Sequence, residues 1–341
     1  MIVQLNRNLV VVDTFQMRRV TLEDLPTVVD LLNACAIDQN GVPDVNENLL
    51  ESDWTRPSFN LADSVRVAET VDGRIVGYIE VWDIDPLPVS NWVWARVHPD
   101  FEGLGIGTQL MQWAEQRLQK TLTRVPDDLQ VTYRSGSKST HGPSKQLLED
   151  IGMNQVRYFW RMVIELDQRP PSPQLPPGIR MSTLEKLGDL RAIYRAFNDS
   201  FKDHWGYVEQ PEDKMISEWE HWTSTDDEFD PDHWHVAMDS EEIAGVCLCR
   251  RREWEDPDMA WVNILGVRRP WRRQGLGLAM LHHAFEKFYH LGKLRVGLGV
   301  DANSLTGATG LYEKAGMHVA REFHTYEKVL RSGRDIERKT L

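Results

Sequence analysis

The sequence predicts an α/β protein of two tandem domains built on one plan, each a mixed, mostly antiparallel sheet flanked by helices. Three observations predict this. Two short motifs recur in the same order in both halves at near-equal offsets. A proline-rich segment separates the halves. Each half also alternates strand-like and helix-like runs in the same order.

The duplication is visible residue by residue. Gly103-Leu104-Gly105-Ile106-Gly107 is answered by Gly275-Leu276-Gly277, with Gly105 and Gly275 170 residues apart. Leu147-Leu148-Glu149-Asp150-Ile151-Gly152-Met153 is answered by Leu311-Tyr312-Glu313-Lys314-Ala315-Gly316-Met317, 164 residues on. Between them lies Asp167–Gly178, which carries Pro170, Pro171, Pro173, Pro176 and Pro177. Such a segment continues neither a helix nor a central strand. The expected division is therefore 1–167, a linker over 168–178, and 179–341. A length of 341 residues agrees with two domains.

Each half opens on a short strand, around Phe15–Val20 and Ile179–Met181. A helix follows, marked in the second half by Leu187, Leu190, Ile193, Tyr194 and Phe197 at spacings of three and four. Two strands come next. Val65–Val71 and Arg74–Val81 flank Asp72-Gly73, a hairpin signal; His233–Met238 and Ile243–Cys249 flank a polar turn. A further strand (Trp92–Val97; Trp261–Val267) runs into a glycine loop and a helix (Thr108–Leu118; Leu278–Phe288). One more strand, helix and strand complete the order β-α-β-β-β-α-β-α-β.

Composition narrows the function classes. The formal net charge of −13 disfavours nucleic acid, which basic patches recognise. No run approaches the length of a membrane span. Met1–Asp13 is too short and polar for a secretory signal, so the expected location is cytoplasmic. The three cysteines, Cys35, Cys247 and Cys249, do not describe a disulfide framework. Cys247 and Cys249 alternate along an apolar run and read as buried thiols. No metal site is expected.

The second glycine loop carries the first chemical hint. Arg272-Arg273-Gln274-Gly275-Leu276-Gly277-Leu278-Ala279 joins a strand to a helix. Glycine lets the backbone approach a ligand with φ above zero. A helix N-terminus offers free amides and the positive end of a dipole. The site suits a pyrophosphate, and Arg268, Arg269, Arg272 and Arg273 bring positive charge. The spacing R-x-x-G-x-G differs from the dinucleotide fingerprint G-x-G-x-x-G.

R-x-x-G-x-G between a strand and a long helix, followed about 35 residues later by Leu-Tyr-Glu-x-x-Gly-Met, resembles the GNAT superfamily of N-acetyltransferases. The resemblance covers nearly the whole chain, once per half. Two such domains in one chain are also similar in architecture to the mycothiol synthases. The resemblance implies acetyl-CoA as acyl donor and a small-molecule or peptide amine as acceptor. It implies that the loop amides from about Arg273 through Gln274, Gly275, Leu276, Gly277, Leu278 and Ala279 cradle the pyrophosphate, with Arg272 beside them in the cofactor site. Leu265, Gly266 and Val267 would pair with the pantetheine arm. Asn303 would touch that arm, unless it serves only as a turn or helix-cap residue.

By the same resemblance Tyr312 is the general acid. A phenol is protonated at neutral pH and can donate to the departing thiolate. The competing reading is a tyrosine packed at the sheet edge. Many relatives carry a glutamate base on the strand before the glycine loop. Here that position is Trp261, with Asn263 beside it; neither accepts a proton. Asp258, Asp256, Glu255, His204, His235, a water relay or an amine arriving neutral all stay open. His233 and His235 share one strand face as structural or substrate-contacting groups, and His282-His283 read as surface residues. The aromatic and polar loop Phe201–Tyr207 is the expected contributor to the acceptor pocket, against a packed surface loop.

The first half reads as a degraded copy. Leu148 stands where Tyr312 stands, Ser139 at the place of Asn303, Glu102 at the start of the loop and Asn91 at the base position. Val97, Gly103, Leu104, Gly105, Ile106, Gly107 and Thr108 nevertheless form a possible second cofactor site. The leading function is transfer of an acetyl group to a primary amine. The alternatives are a mycothiol-synthase-like enzyme and a non-catalytic acyl-CoA-binding regulator, and thioester cleavage with a panel of amines separates the last from the others. The tandem halves can also take the place of a dimer.

Overall fold

The computed structural model describes residues 15–226 and 228–340. Residues 1–14, over which the sequence argues against a secretory signal, lie outside them. The first half runs β1 (Phe15–Arg19), α1 (Leu25–Asn40), α2 (Glu47–Trp54), α3 (Leu61–Ser64), β2 (Val65–Thr70), β3 (Ile75–Trp82), β4 (Ser90–Val97), α4 (Ile106–Leu118), β5 (Val131–Lys138), α5 (Gly142–Asp150) and β6 (Asn154–Glu165). Residues 168–178 form no helix or strand. The second half repeats the order: β7 (Ile179–Thr183), α6 (Leu184–Leu187), α7 (Leu190–Phe201), α8 (Glu212–Thr225), β8 (Trp234–Asp239), β9 (Glu242–Arg250), β10 (Met259–Val267), α9 (Leu276–His290), β11 (Arg295–Asp301), α10 (Ala308–Lys314) and β12 (His318–Arg331).

All twelve strands join one sheet in the order β1-β2-β3-β4-β5-β12-β6-β11-β10-β9-β8-β7. The neighbours β4/β5 and β10/β11 run parallel, and the other adjacent pairs run antiparallel. The last strand of each half crosses over. β12 pairs with β5 of the first half, β6 pairs with β11 of the second, and β12 and β6 pair with each other. Side chains follow the backbone. Tyr326 of β12 is wholly buried in the first half's core beside Leu110 and Tyr133. Met162 of β6 is wholly buried in the second half's core beside Met280 and Leu298. Burial of each stabilises by roughly 1.5–3 kcal/mol, so parting the halves would cost both.

Helices cover both faces. On one face α4 buries Ile106, Leu110, Met111, Ala114 and Leu118, and α9 buries Leu276, Met280, Leu281, Ala284, Phe285 and Phe288. On the other, α1 and α2 cover the first half, while α7 and α8 cover the second with Ile193, Tyr194, Phe197, Ile216 and Trp219. The apolar residues that announced this helix in the sequence all pack there. Leu187, however, ends α6, because Gly188 turns the chain with φ 65° before α7 starts. Cys247 and Cys249 share the face under α9, buried, with sulfurs 3.7 Å apart. The two helix layers facing each other across the halves touch directly: His221 Nε2 of α8 lies 2.9 Å from the Ser52 carbonyl of α2, and Ser52 Oγ lies 2.6 Å from Thr225 Oγ1.

Among the described residues no helix is long and apolar enough to cross a membrane.

Candidate functional site

The site begins where two parallel strands part. β10 pairs with β11 only over Met259–Val262, and beyond that Ile264–Val267 keep β9 as their sole neighbour. Leu265, Gly266 and Val267 therefore present an unpaired edge to a wedge between β10 and β11. Gly266 is required for a second reason. A Cβ there would stand 2.8 Å from Ser200 Cβ, so α7 could not lie against the strand. β4 and β5 part in the same way beyond Trp92, which leaves Val97 at a matching edge.

The strand β10 carries one feature its counterpart lacks. Its register with β9 shifts between Val262 and Ile264, which leaves Asn263 as a bulge, whereas β4 pairs with β3 without a break from Trp92 to Val97. A bulge turns one extra side chain out of the ladder. Asn263 is exposed and lines a cavity on the α7–α8 face.

At the wide end of each wedge lies a glycine loop. Gly275 caps α9 with φ 83°, and Gly105 caps α4 with φ 82°. The amides of residues 273–278 donate to no group among the described residues, and neither do those of 103–108. Arg273, Gln274, Gly275, Leu276, Gly277 and Leu278 thus offer six open donors at a helix N-terminus. Gly103, Leu104, Gly105, Ile106, Gly107 and Thr108 offer the same. Ala279 stands outside the set, because its amide already donates to the Gly275 carbonyl at 3.0 Å. The last glycine of each loop serves packing. A Cβ on Gly277 would lie 3.1 Å from Leu311, and one on Gly107 would lie 2.8 Å from Leu147.

The four arginines divide. Arg268 donates to Asp199 and to the Ile243 carbonyl, both at 2.9 Å. Arg269 and Arg272 converge on the buried carboxylate of Asp203, and Arg272 also donates to the carbonyls of Val267 and Ser200. These three tie the loop to α7 and the turn after it, rather than standing free for phosphate. Arg273 alone of the four is exposed and unpaired among the described residues, and it holds φ 60°. Gln274 donates to the Pro270 carbonyl. In the first half Glu102 stands at the position of Arg272, and His141 lies 3.2 Å from its carboxylate.

Tyr312 sits on α10 at 7 % exposure, packed with the core beneath the wedge. Its hydroxyl makes no hydrogen bond among the described residues. Burial, with Cys247 adding to it, raises its pKa well above the ordinary phenol value, so the group is held protonated. Leu148 fills the equivalent place in the first half, 3 % exposed. Asn303 lies exposed in the turn after β11, its amide donating to Asp301 Oδ1 at 2.9 Å.

The candidate bases separate equally clearly. Glu255 pairs with Arg161 and Arg321, and Asp256 with Arg295, so both hold the turn before β10 against β6, β11 and β12. The Asp258 carbonyl receives the Leu294 amide in the same turn. Trp261 lies under the Arg161 guanidinium, 5.0 Å from its centre. His235 is buried on the α9 face with both ring nitrogens unpartnered, its pKa pushed down to about 3 by burial. His283 is not a surface residue. Half-buried, it meets the His235 ring edge-on at 4.9 Å. His233 stacks on Phe288 at 5.4 Å. His204 stacks on Phe201 at 4.0 Å, and burial and Arg272 bring its pKa down to about 4.

A cleft runs between the halves on the α7–α8 face, as three cavities in series. The first, about 380 Å³, is lined by Phe201, His204, Trp205 and Tyr207 of the aromatic loop together with Asp85. The second, about 370 Å³, shares Asp85 and Met215 with it and adds Glu218, Trp222, Arg250 and Asn263. The third, about 250 Å³, shares Arg56, Trp222 and Arg250 with the second. The sequence pointed to the aromatic loop. It did not point to α8 or to the loop around Asp85, because nothing local shows that residues over a hundred positions apart will face one another.

Comparison with known proteins agrees with this geometry. Residues 25–129 and 190–317 match the acetyltransferase (GNAT) family. A mycothiol acetyltransferase of Thermobispora bispora is 29 % identical over 307 residues, covering 87 % of this chain and 94 % of the relative. A GCN5-related N-acetyltransferase from Sphaerobacter thermophilus is 32 % identical, with a TM-score of 0.77 over 94 % of this chain and 98 % of that one. A tandem GNAT protein from the clavulanic acid biosynthesis pathway is 14 % identical and shares the fold, with a TM-score of 0.67 over 94 % of this chain and 100 % of that one.

Proposed function

This chain belongs to the acetyltransferase (GNAT) family and is an N-acetyltransferase that draws on an acyl-CoA, and from that premise we propose that it moves the acetyl group of acetyl-CoA to a primary amine at the second glycine loop. The observation that carries the reading is Tyr312. It is a buried phenol with an uncommitted hydroxyl, on the helix behind a wedge whose mouth holds six open amides. The first half has the wedge and the amides, but an apolar Leu148 in place of the phenol. We therefore assign catalysis to 179–341 and a supporting role to 1–167, with 168–178 as the linker and a cytoplasmic setting.

In this reading the amides of 273–278 and the Arg273 guanidinium hold the pyrophosphate. Leu265, Gly266 and Val267 align the pantetheine arm along the open strand edge, with Asn303 across the wedge. Tyr312 gives its proton to the departing thiolate, which avoids expelling a bare anion into an apolar site. The second reading, a mycothiol acetyltransferase, is favoured by the relatives of that name, which match over most of their own length. The test is release of free CoA thiol from acetyl-CoA against a panel of primary amines that includes the acceptor of those relatives. Turnover of that acceptor above all others selects the second reading. Absence of turnover with every amine, while acetyl-CoA still binds, leaves the chain a non-catalytic acyl-CoA binder.

A further inference from the structure

We propose that Glu218, carried on α8 rather than on the central strand, receives the acceptor's ammonium and takes its proton, and that the acceptor is a cationic amine with a polar body seated in the cleft between the halves. The inference rests on the N-acetyltransferase reading and assigns the base that this reading leaves open.

The strand offers none. Trp261 and Asn263 cannot take a proton, Glu255 and Asp256 are tied to arginines, and His235 lies on the opposite face of the sheet. Glu218 is different. It is 9 % exposed, and its Oε2 has no hydrogen-bond partner. It lines the same cavity as Asn263, the bulged residue on the strand along which the pantetheine arm would run. Lys214, Met215, Glu218, Trp219 and Trp222 line that cavity together, and their helical spacing puts them on one face of α8.

A buried carboxylate with an empty oxygen is costly unless a cation or donor completes it. No side chain here does so. Asp85, facing Glu218 from the first half, is a second carboxylate without an ion pair among the described residues. Burial holds its carboxyl above the ordinary range against the opposing charge of Arg124, and Glu218 adds to the rise; Arg124 itself is held by Asp83 and by the Asp85 carbonyl. Arg56 is paired with Asp53, and Arg250 with Asp226. Lys214 is exposed at the rim. Two carboxylates thus share a cavity in which the nearby guanidiniums are already engaged, and the missing counter-charge fits a ligand ammonium. Trp219 adds an apolar wall packed on Tyr194, Phe197 and Trp234, and the Trp222 face is taken by the Arg250 guanidinium at 5.6 Å, so the two carboxylates are what the ligand cation meets. The third cavity, continuous through Arg56, Trp222 and Arg250, is lined by Asn46, Ser52, Asp53 and Thr225 and has room for a hydroxyl- or amide-rich remainder.

The protons balance. The ammonium gives one proton to Glu218, which returns it to solvent. The neutral nitrogen attacks the acetyl carbonyl, the N–C bond forms and the C–S bond breaks. The thiolate leaves with a proton from Tyr312, and the second nitrogen proton restores the phenol.

The experiment is kcat/KM against pH, with the best amine of the panel, for the parent, Glu218→Gln and Glu218→Asp. Calorimetry with acetyl-CoA runs alongside. The expectation for Glu218→Gln is a loss of roughly 10²-fold at neutral pH. That loss should shrink as rising pH delivers the amine already neutral, with acetyl-CoA affinity unchanged. Glu218→Asp should keep the acid-side limb at a lower rate. Parent-like kcat/KM in Glu218→Gln overturns the proposal, and so does a higher KM with the acid limb intact, which would mark a positioning group. If the parent itself turns over no amine, the N-acetyltransferase reading fails first and this one with it.

Discussion

Gly103 and Arg273 occupy the same place in the two glycine loops, 170 residues apart, and both hold the left-handed backbone, at φ 75° and 60°. Glycine takes this conformation freely, whereas an arginine there costs roughly 1 kcal/mol. Arg273 is also the one arginine of its loop that no carboxylate engages among the described residues. Strain retained beside open amides points to a ligand contact. Arg273→Gly is expected to hold or raise the melting temperature while weakening acetyl-CoA binding about tenfold, the effect of one lost charge-assisted contact. Thermal melting and calorimetry on one preparation check it; a fall in stability with affinity unchanged would refute it.

Tyr312→Phe should separate chemistry from folding. The hydroxyl has no partner to lose, so stability should change little. Turnover should fall by roughly 10²-fold with acetyl-CoA affinity unaltered. Because burial raises the phenol above its ordinary value, the parent should show no alkaline decline in kcat from this group up to pH 10, that ordinary value. A decline beginning near neutrality and absent in Tyr312→Phe would contradict the assignment.

Asp203 should set part of the acid stability. Hydrogen bonds from Arg269, then from Arg272, hold its carboxyl far below the usual range against the opposing effect of burial. A depressed folded pKa contributes stability that is present above the unfolded value, near pH 4, and is lost as pH falls through the folded one. Asp203→Asn should therefore destabilise by roughly 2 kcal/mol at neutral pH. The difference between variant and parent should narrow as pH drops below about 4. Melting temperatures measured from pH 7 to pH 2 decide it, and a gap that widens toward acid would be the wrong sign.

Much of this was legible in the sequence, and the rest fails for physical reasons. The duplication, the strand order and both loops follow from local patterns, but those patterns predict one helix between the first and second strands of each half where the structure has three, α1–α3 and α6–α8. The bulge at Asn263 left a trace: Trp261–Val267 is one residue longer than Trp92–Val97. The crossing of β6 and β12 left none, since a strand's alternation is the same whichever sheet it joins. Nor could the loop arginines be sorted, because Asp203 lies more than 60 positions before its partners. Glu218 reads as an ordinary charged residue on an amphipathic helix until the first half is laid against it.

The division of labour between the halves has a matched test. Gly105 and Gly275 cap equivalent helices at φ 82° and 83°, and a Cβ on either meets nothing within 4 Å. Valine at either place costs only backbone strain, roughly 1–3 kcal/mol. Gly105→Val and Gly275→Val should accordingly lower the melting temperature by similar amounts, and any gap in activity between them reports function rather than folding. Beyond the loops the halves differ where chemistry is needed: Tyr312 against Leu148 and Asn303 against Ser139. Gly275→Val pushes a branched side chain into the approach to the open amides that serve Tyr312. It should abolish both acetyl-CoA binding at that loop and amine acetylation. Gly105→Val, with circular dichroism confirming the fold, should leave acetylation near the parent rate. Loss of activity in Gly105→Val alone would reverse the assignment and make the first half the catalyst.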